Sequence, residues 1–270
     1  MILQNKLLPT LDDFLSRQAY IQGLGLHFET YFKKYAQPNI PGPPNPQFDF
    51  ILGTNLIISD LTGETDNGWI INFSTGKFYG LSHYNRKWKE DQLLIDVISF
   101  LVAQSYESLE TFIKNILIKY LELYDNGFNK CGLQQIETPE ETIKKLKTKN
   151  NQEYIELISK ISGDFKTALT VNNRNLNLIN WFEHFSSVRH AITHRARRCE
   201  NSDFGKLKKG EISQFKKFFP YKTIDKTKRY YFSTSNLDYI IKVSSEFGYT
   251  IFKYISIDLN YNWKVYEKMK

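Results

Sequence analysis

Cysteine and long apolar runs are both scarce in this sequence. The 270 residues include only two cysteines, Cys131 and Cys199, which rules out a disulfide framework and a four-cysteine metal site. The longest uncharged stretch of the most apolar helix candidate, residues 97–106, has about half the length that a membrane span needs. No apolar run follows a basic start at Met1, so we expect no secretory signal and a cytoplasmic protein.

The composition is that of a folded protein. Hydrophobic residues make up 41% and aromatic residues 15% of the chain, whereas disorder requires low hydrophobicity and high net charge. A wholly disordered chain is therefore excluded. The length is sufficient for one large domain or two ordinary ones.

Positive charge is concentrated in one segment. The formal net charge is +7, yet residues 195–229 alone hold twelve Lys or Arg against four acids, a local excess of +8. Phenylalanines and tyrosines are interleaved with these cations. This segment could be an electrostatic footprint for nucleic acid, or a solvated basic surface beside ordinary core aromatics.

Proline and glycine divide the first 86 residues. Five of the eight prolines lie in residues 38–46, where neither a helix nor a central strand can continue. A helix is predicted before this loop, over residues 11–35. Three short strands are predicted after it, at residues 50–59, 69–73 and 77–83, separated by turns at Asn67-Gly68 and Thr75-Gly76. Residues 1–86 are thus predicted to form a small α/β module of unknown role.

The remainder of the chain is helical in pattern. Apolar residues recur at helical spacing from Asp91 to about Tyr124, and Thr138-Pro139 with Glu141 predicts a capped helix start. Further helices are predicted at residues 139–149, 151–169, 176–198 and 235–259, the last capped by Ser235 with Asp238, and a short β excursion at 221–232. The fold class is therefore predicted as α+β, mainly α-helical, with a bundle at residues 90–262 and a basic insertion at 195–232.

One short stretch carries an unusual set of side chains. Residues 184–198 contain three of the five histidines and four of the eight arginines. Within it, residues 189–194 read RHAITH, in which His190 directly follows Arg189 and four residues separate Arg189 from His194. Arginine suits the charge of a phosphate, and histidine can transfer protons near neutral pH.

This hexapeptide resembles the Rx4–6H motif of HEPN domains. The resemblance covers residues 90–262 and implies a helical bundle, with Arg189 and His194 catalytic and His190 as the polar residue after the arginine. HEPN proteins also often carry an acidic or polar residue on the first long helix, which here would be Glu107 or Glu110. Residues 125–177, between that helix and the motif, are longer than the resemblance leads us to expect.

Many HEPN proteins are metal-independent endoribonucleases of toxin or antiviral systems, so the resemblance implies such an activity without a cofactor. The chemistry also follows from the residues. RNA supplies its own nucleophile, the 2′-hydroxyl, so cleavage needs a base, an acid and positive charge on the phosphoryl oxygens. The products would be a 2′,3′-cyclic phosphate and a 5′-hydroxyl.

Helix geometry bears on the oligomeric state. At about 100° per residue, Arg189 and His194 lie about 140° apart around one helix. The resemblance implies that two motif helices meet across a dimer axis and form one composite site. We therefore predict a homodimer, with an antitoxin or regulatory protein as a further possible partner and no membrane association.

Other interpretations of these residues stay open at this point. RHAITH could be a basic helix end whose side chains cap the last carbonyls, or His190, His194 and Cys199 could bind zinc. Glu107 and Glu110 could be solvated charges. The basic run of Arg195, Arg197 and Arg198 could bind the RNA backbone, or pair with acids. The alternative function is a catalytically silent HEPN-like module that binds RNA, nucleotide or a protein partner.

Overall fold

The computed structural model describes residues 5–35, 50–64, 70–82, 86–134, 138–145, 152–205 and 207–265. Their elements, in chain order, are α1 Leu8–Tyr35, β1 Phe50–Glu64, β2 Ile70–Ser82, α2 Arg86–Leu123, α3 Gly127–Cys131, α4 Pro139–Lys145, α5 Gln152–Ile161, α6 Gly163–Ala168, α7 Leu178–His194, a 3-10 helix Asn201–Phe204, α8 Lys209–Phe215, β3 Tyr221–Ile224, β4 Thr227–Tyr230 and α9 Thr234–Asp258. The α+β, mainly helical fold class is confirmed. None of the helices in these ranges is long and apolar enough to span a bilayer.

The chain divides into two compact units. One joins Met1–His27 to Val97–Lys270, and the other comprises Phe28–Asp96. This differs from the predicted boundary between residues 86 and 90, because the first part of α1 packs with the bundle. Phe14 stacks on Phe112 with ring centroids 4.6 Å apart. An N-terminal helix whose apolar face meets a distant helix cannot be assigned to a unit from sequence proximity alone.

The described residues of the second unit contain two strands where three were predicted. β1 and β2 pair antiparallel, and Thr75-Gly76, predicted as a turn, lies inside β2. The register shifts between the Asn55–Phe78 and Ile57–Ser74 pairs, so β2 accommodates extra residues there as a bulge. The Thr75-Gly76 pair thus lies at an irregularity within β2 and does not end the strand.

Some predicted features lie outside the described residues. These are the proline-rich loop at 38–46, the turn at Asn67-Gly68 and the end of the helix predicted to reach residue 149. The start of that helix is confirmed, since the Thr138 hydroxyl and the Glu141 carboxylate exchange hydrogen bonds with each other's backbone N–H.

The helix predicted at 151–169 is wrong in one respect, because it is two helices. Ser162 adopts an extended conformation between α5 and α6, and its hydroxyl accepts a 3.3 Å hydrogen bond from the Phe165 N–H. A serine able to cap a new helix interrupts the apolar period here. Likewise, Ser233 with Asn236 caps α9, in place of the predicted Ser235 with Asp238.

The core of the bundle holds α7 against α2. Tyr106 of α2 stacks on Phe182 at 5.3 Å between ring centroids and meets Phe185 edge-on at 5.2 Å. All three rings are almost fully buried. Aromatic pairs in these geometries add to the free energy of burial, so the relative position of the two helices is firmly set.

Helices α1 and α9 approach closely enough to require glycine. A Cβ atom at Gly248 would lie 2.4 Å from Cε1 of Phe14, which is below any ordinary contact. The two ends of the described chain also meet, since Asn5 Nδ2 donates to Ser256 Oγ at 2.9 Å. The first part of α1 therefore packs against both α2 and the last helix.

Candidate active site

Helix α7 carries the RHAITH sequence in its last two turns. It begins at the Asn177 cap, whose side chain accepts a hydrogen bond from the Asn180 N–H at 3.1 Å. Its inward face is apolar, with Trp181, Phe185 and Val188 buried, which turns Arg189 and His190 toward the outside. The amphipathic pattern thus fixes which motif residues can meet a substrate.

Arg189 and Glu107 form an ion pair between α7 and α2. The Arg189 Nε and Nη2 groups donate to the same carboxylate oxygen, Glu107 Oε1, at 3.0 and 2.7 Å. Both side chains are about one-third exposed or more, so the pair is open to solvent. The contact joins two residues that are 82 positions apart, and Glu107 is one of the two glutamates that the resemblance implied.

Glu110, one turn further along α2, has a different partner. Its carboxylate pairs with Lys114 of the same helix. Lys114 in turn lies over the Tyr154 ring, with Nζ 5.4 Å from the centroid. Of the two candidate glutamates, the structure therefore brings Glu107 to the motif arginine and leaves Glu110 in a local ion pair.

His190 and His194 lie next to one another on the exposed side of α7. Their ring centroids are 4.8 Å apart and the rings are inclined by 45°. Both residues are exposed. The spacing of four residues places the two imidazoles one turn apart at the helix end, where a substrate can reach both.

The helix ends at His194, and its predicted continuation to residue 198 is wrong. Ala196 and Arg197 have φ values of 47° and 65°, a left-handed conformation that is uncommon outside glycine. It is held by backbone pairing, because the Arg197 carbonyl accepts from the Tyr230 N–H at 2.9 Å and the Cys199 N–H donates to the Lys228 carbonyl at 2.9 Å. Pairing with the β3–β4 hairpin outweighs the helix propensity of this run.

Arg195 is engaged inside the protein and pairs with acids, which is the alternative to its predicted RNA contact. Its Nη2 donates to Asp203 Oδ1 at 2.5 Å and its Nη1 lies 3.0 Å from Glu200 Oε2. Burial works against the charged form, but the two carboxylates hold the pKa of the guanidinium above its ordinary value. Both groups of the Asp203 pair are largely buried. Arg195 is therefore structural.

Arg197 is also engaged inside the protein, whereas Arg198 is exposed. Arg197 is buried, and its Nη1 donates to the Tyr230 carbonyl at 3.3 Å, so it fixes the hairpin against the end of α7. Arg198 is exposed and forms an antiparallel bridge with Arg229. Of the three arginines, Arg198 is the one in a position to meet an external anion.

The remaining candidates of this region are core residues. His184 is buried among the Phe204, Phe215 and Phe219 rings, and burial lowers its pKa. Its Nδ1 lies 2.8 Å from the Asp203 carbonyl oxygen. Burial raises the pKa of the Cys199 thiol, which keeps it protonated.

The described residues contain no group of three or more His, Cys, Asp or Glu that could hold a metal ion. The zinc interpretation of His190, His194 and Cys199 therefore has no ligand set in this part of the chain.

Sequence reasoning did not find Asp203, which organises the segment after α7. Its carboxylate accepts from Arg195, from the Glu200 N–H at 2.9 Å and from the Tyr230 hydroxyl at 3.4 Å. Glu200 and Asp203 also form a reciprocal capping pair around the 3-10 helix. The spacing of these two acids, three residues apart just after a basic run, was the available signal.

Asp203→Ala is expected to lower the free energy of unfolding by about 3 kcal/mol, because it leaves the Arg195 cation without its buried partner. Urea denaturation at pH 7 measures this. The exposed helix-start residue Asp164 provides the control, since Asp164→Ala should cost under about 1 kcal/mol. Equal losses from both substitutions would show that Asp203 does not organise this segment.

A polar cleft lies on the other side of Glu107. It has a volume of about 360 Å³ and is bounded by α1 and α2, with Thr10, Asp13, Arg17 and Gln104 among its lining residues. Arg17 Nη2 donates to Gln104 Oε1 at 3.1 Å across it. Glu107 therefore faces both the motif arginine and a small polar cleft.

Comparison with known proteins identifies no relative. The chain matches no protein-family model, no curated protein and no solved structure. The functional argument therefore depends on the chemistry of the residues that the fold brings together.

Proposed function

We propose that this protein is a metal-independent endoribonuclease of HEPN type, a toxin or anti-phage effector, which cleaves RNA by attack of the 2′-hydroxyl on the adjacent phosphate. The products are a 2′,3′-cyclic phosphate and a 5′-hydroxyl. The observation that carries the proposal is the contact of Arg189 with Glu107 of α2. Arg189 lies on α7, the same helix as the exposed His190–His194 pair.

The ion pair prepares Arg189 for a phosphate. Its Nε and one Nη2 hydrogen are directed at Glu107, while a guanidinium has five N–H donors in a rigid fork. The Nη1 edge thus stays available for two phosphoryl oxygens. Because Glu107 holds the guanidinium in place, less conformational entropy is lost when the phosphate binds.

The histidines supply proton transfer. Imidazole transfers a proton from the 2′-hydroxyl and to the leaving 5′-oxygen, and general acid–base catalysis of this kind contributes about 10²–10⁴-fold in rate. His194 is the principal candidate and His190, one turn away, is positioned to assist it. Arg189 stabilises the charge that develops on the phosphoryl oxygens.

A composite site across a homodimer explains how Arg189 and His194 act on one phosphate. Arg189 is directed at α2, and about 140° of helix rotation separates it from His194. A two-fold axis beside α7 would bring the arginine of one protomer to the histidine of the other. The homodimer is part of the proposal.

The second candidate function is a binding module without catalysis. The observation that favours it is the polar cleft at Glu107, whose volume suits a small polar ligand such as a nucleotide. In that case the Arg189–Glu107 pair would be a structural contact between helices. Cleavage assays separate the two functions.

The test is cleavage of end-labelled total RNA and of a tRNA pool in excess EDTA, with product ends typed chemically. Wild-type protein is expected to cut and to leave cyclic-phosphate ends, whereas Arg189→Ala is expected to lose about 10²-fold or more in rate. Equal cutting by both proteins would place the activity elsewhere. No cutting by wild type would favour the binding module.

Glu107 and Glu110 offer a matched pair within the same assay. Glu107→Gln weakens a charge-assisted hydrogen bond to Arg189 and is expected to slow cleavage about tenfold. Glu110→Gln touches only the local pair with Lys114 and is expected to change the rate less than about twofold. The reverse order would assign the positioning role to Glu110.

A further inference from the structure

Three cations stand in one row beside the motif helix. Arg198 forms an antiparallel bridge with Arg229, and Arg229 pairs with Lys222 across the β3–β4 hairpin. The three residues, here called the cationic row, therefore occupy directly opposed positions on three neighbouring segments. With strands about 4.8 Å apart, the row extends about 10 Å across the segments.

The row is unfavourable for the isolated protein. Like charges directly opposite each other on paired strands repel, and such positions ordinarily hold opposite charges or apolar pairs. Arg229 Nε is in addition buried without a hydrogen-bond partner among the described residues. A local conflict of this kind is typical of a functional surface, where a ligand supplies the missing countercharge.

The acids of the same segment do not neutralise the row. Of the four acids in residues 195–232, Glu200 and Asp203 pair with Arg195, and Glu211 accepts a 2.6 Å hydrogen bond from Asn180. The fourth, Asp225, is exposed in the hairpin turn with a left-handed backbone. Three of the four acids are thus engaged in contacts with Arg195 or Asn180, and the fourth lies at the tip of the hairpin.

A tyrosine ring orders one lysine of the row. Lys222 lies over the Tyr231 ring, with Nζ 3.6 Å from the centroid. Cation–π contacts restrain side chains that would otherwise move freely. Lys216 and Lys228 lie over Tyr221, which the register places on the opposite face of the hairpin, so this ordering of the row rests on Lys222.

We propose that the cationic row binds the phosphodiester backbone of RNA and anchors the strand that the motif helix cleaves. The row begins four residues after His194, and both Arg198 and His194 are exposed, so the proposal has one strand contact the row and the histidines. This inference deepens the proposed function, on which its choice of substrate rests. Arg195 and Arg197 are engaged internally, so the proposal assigns the RNA contact to Arg198 and the hairpin in their place. Backbone contacts of this kind carry no sequence preference.

The experiment measures the affinity of full-length His194→Ala protein for a fluorescein-labelled single-stranded 20-mer of RNA at several salt concentrations. Adding Arg198→Ala with Lys222→Ala, both exposed positions, is expected to weaken binding about tenfold and to lower the salt slope by about 1.4. The matched control adds Lys166→Ala with Lys242→Ala, two exposed lysines on α6 and α9, and should leave affinity and slope unchanged. Circular dichroism verifies folding, and Arg198→Lys with Lys222→Arg should keep the affinity.

The proposal is overturned if the two double variants bind alike, or if the His194→Ala parent does not bind the 20-mer. It is also overturned if poly-L-glutamate, but not RNA, binds in a manner that requires the row, since the partner would then be an acidic protein. Failure of the nuclease proposal is distinguishable. In that case wild type cuts nothing in EDTA, while the affinity measured here still requires the row.

Discussion

His194→Ala is expected to reduce the rate of RNA cleavage by about 10²- to 10⁴-fold while RNA affinity stays within about twofold of wild type. His194 is exposed at the end of α7, so its removal costs little stability. The proton-transfer step loses its imidazole, whereas the Arg189–Glu107 pair and the cationic row are left intact. Single-turnover cleavage with protein in excess measures the chemical step separately from binding.

The neighbouring imidazole provides the control for this result. His190→Ala removes the same side chain one turn earlier and is expected to slow cleavage by about tenfold, because His190 assists and His194 transfers the proton. If His190→Ala had the larger effect, the two histidines would exchange roles. If neither substitution altered the rate, the chemistry would not belong to this helix.

Mixing two inactive variants is expected to restore activity. In a dimer whose site combines Arg189 of one protomer with His194 of the other, a heterodimer of Arg189→Ala and His194→Ala keeps one complete site of two. Random mixing makes about half of the dimers heterodimers, so about one quarter of wild-type activity should return from almost none. Co-expression with two affinity tags, followed by purification over both, isolates the heterodimer.

The purified heterodimer should then show about half of wild-type activity. A mixture of Arg189→Ala with the double variant lacking both residues is the control, since no complete site can form and no activity should return. A site built within one protomer gives no rescue in either mixture. That outcome, or a strictly monomeric protein in sedimentation, would remove the composite site from the proposal.

The sequence predicted the long helices well because their cause is local. The apolar periodicity of α1 and α2 and the capping box at Thr138 depend on neighbours within a few residues. Where distant pairing competes, prediction failed. Residues 195–198 have helical composition, yet the hairpin takes Arg197 and Cys199 into its backbone pairing and ends α7 earlier.

In the candidate site, too, local features could be predicted and contacts between distant residues could not. Composition and spacing singled out Arg189 and His194, and the family resemblance added a pair of glutamates, but one turn of helix cannot decide which glutamate meets the arginine. That choice depends on how α2 and α7 pack through Tyr106 and Phe182. Pairing of Arg195 with acids was one of two interpretations left open by the sequence, and the choice of Asp203 as its partner follows from the left-handed turn between them.

The contact between Asn5 and Ser256 has a consequence for the order in which the chain folds during synthesis. The two residues are 251 positions apart, so at about 5–20 residues per second α1 waits about 13–50 s for its partner α9. Phe182 of α7 also packs on Phe247 of α9, with centroids 6.0 Å apart. The bundle that aligns Arg189 with Glu107 thus closes only after α9 has emerged, and the surface that carries the RHAITH sequence stays unassembled until then.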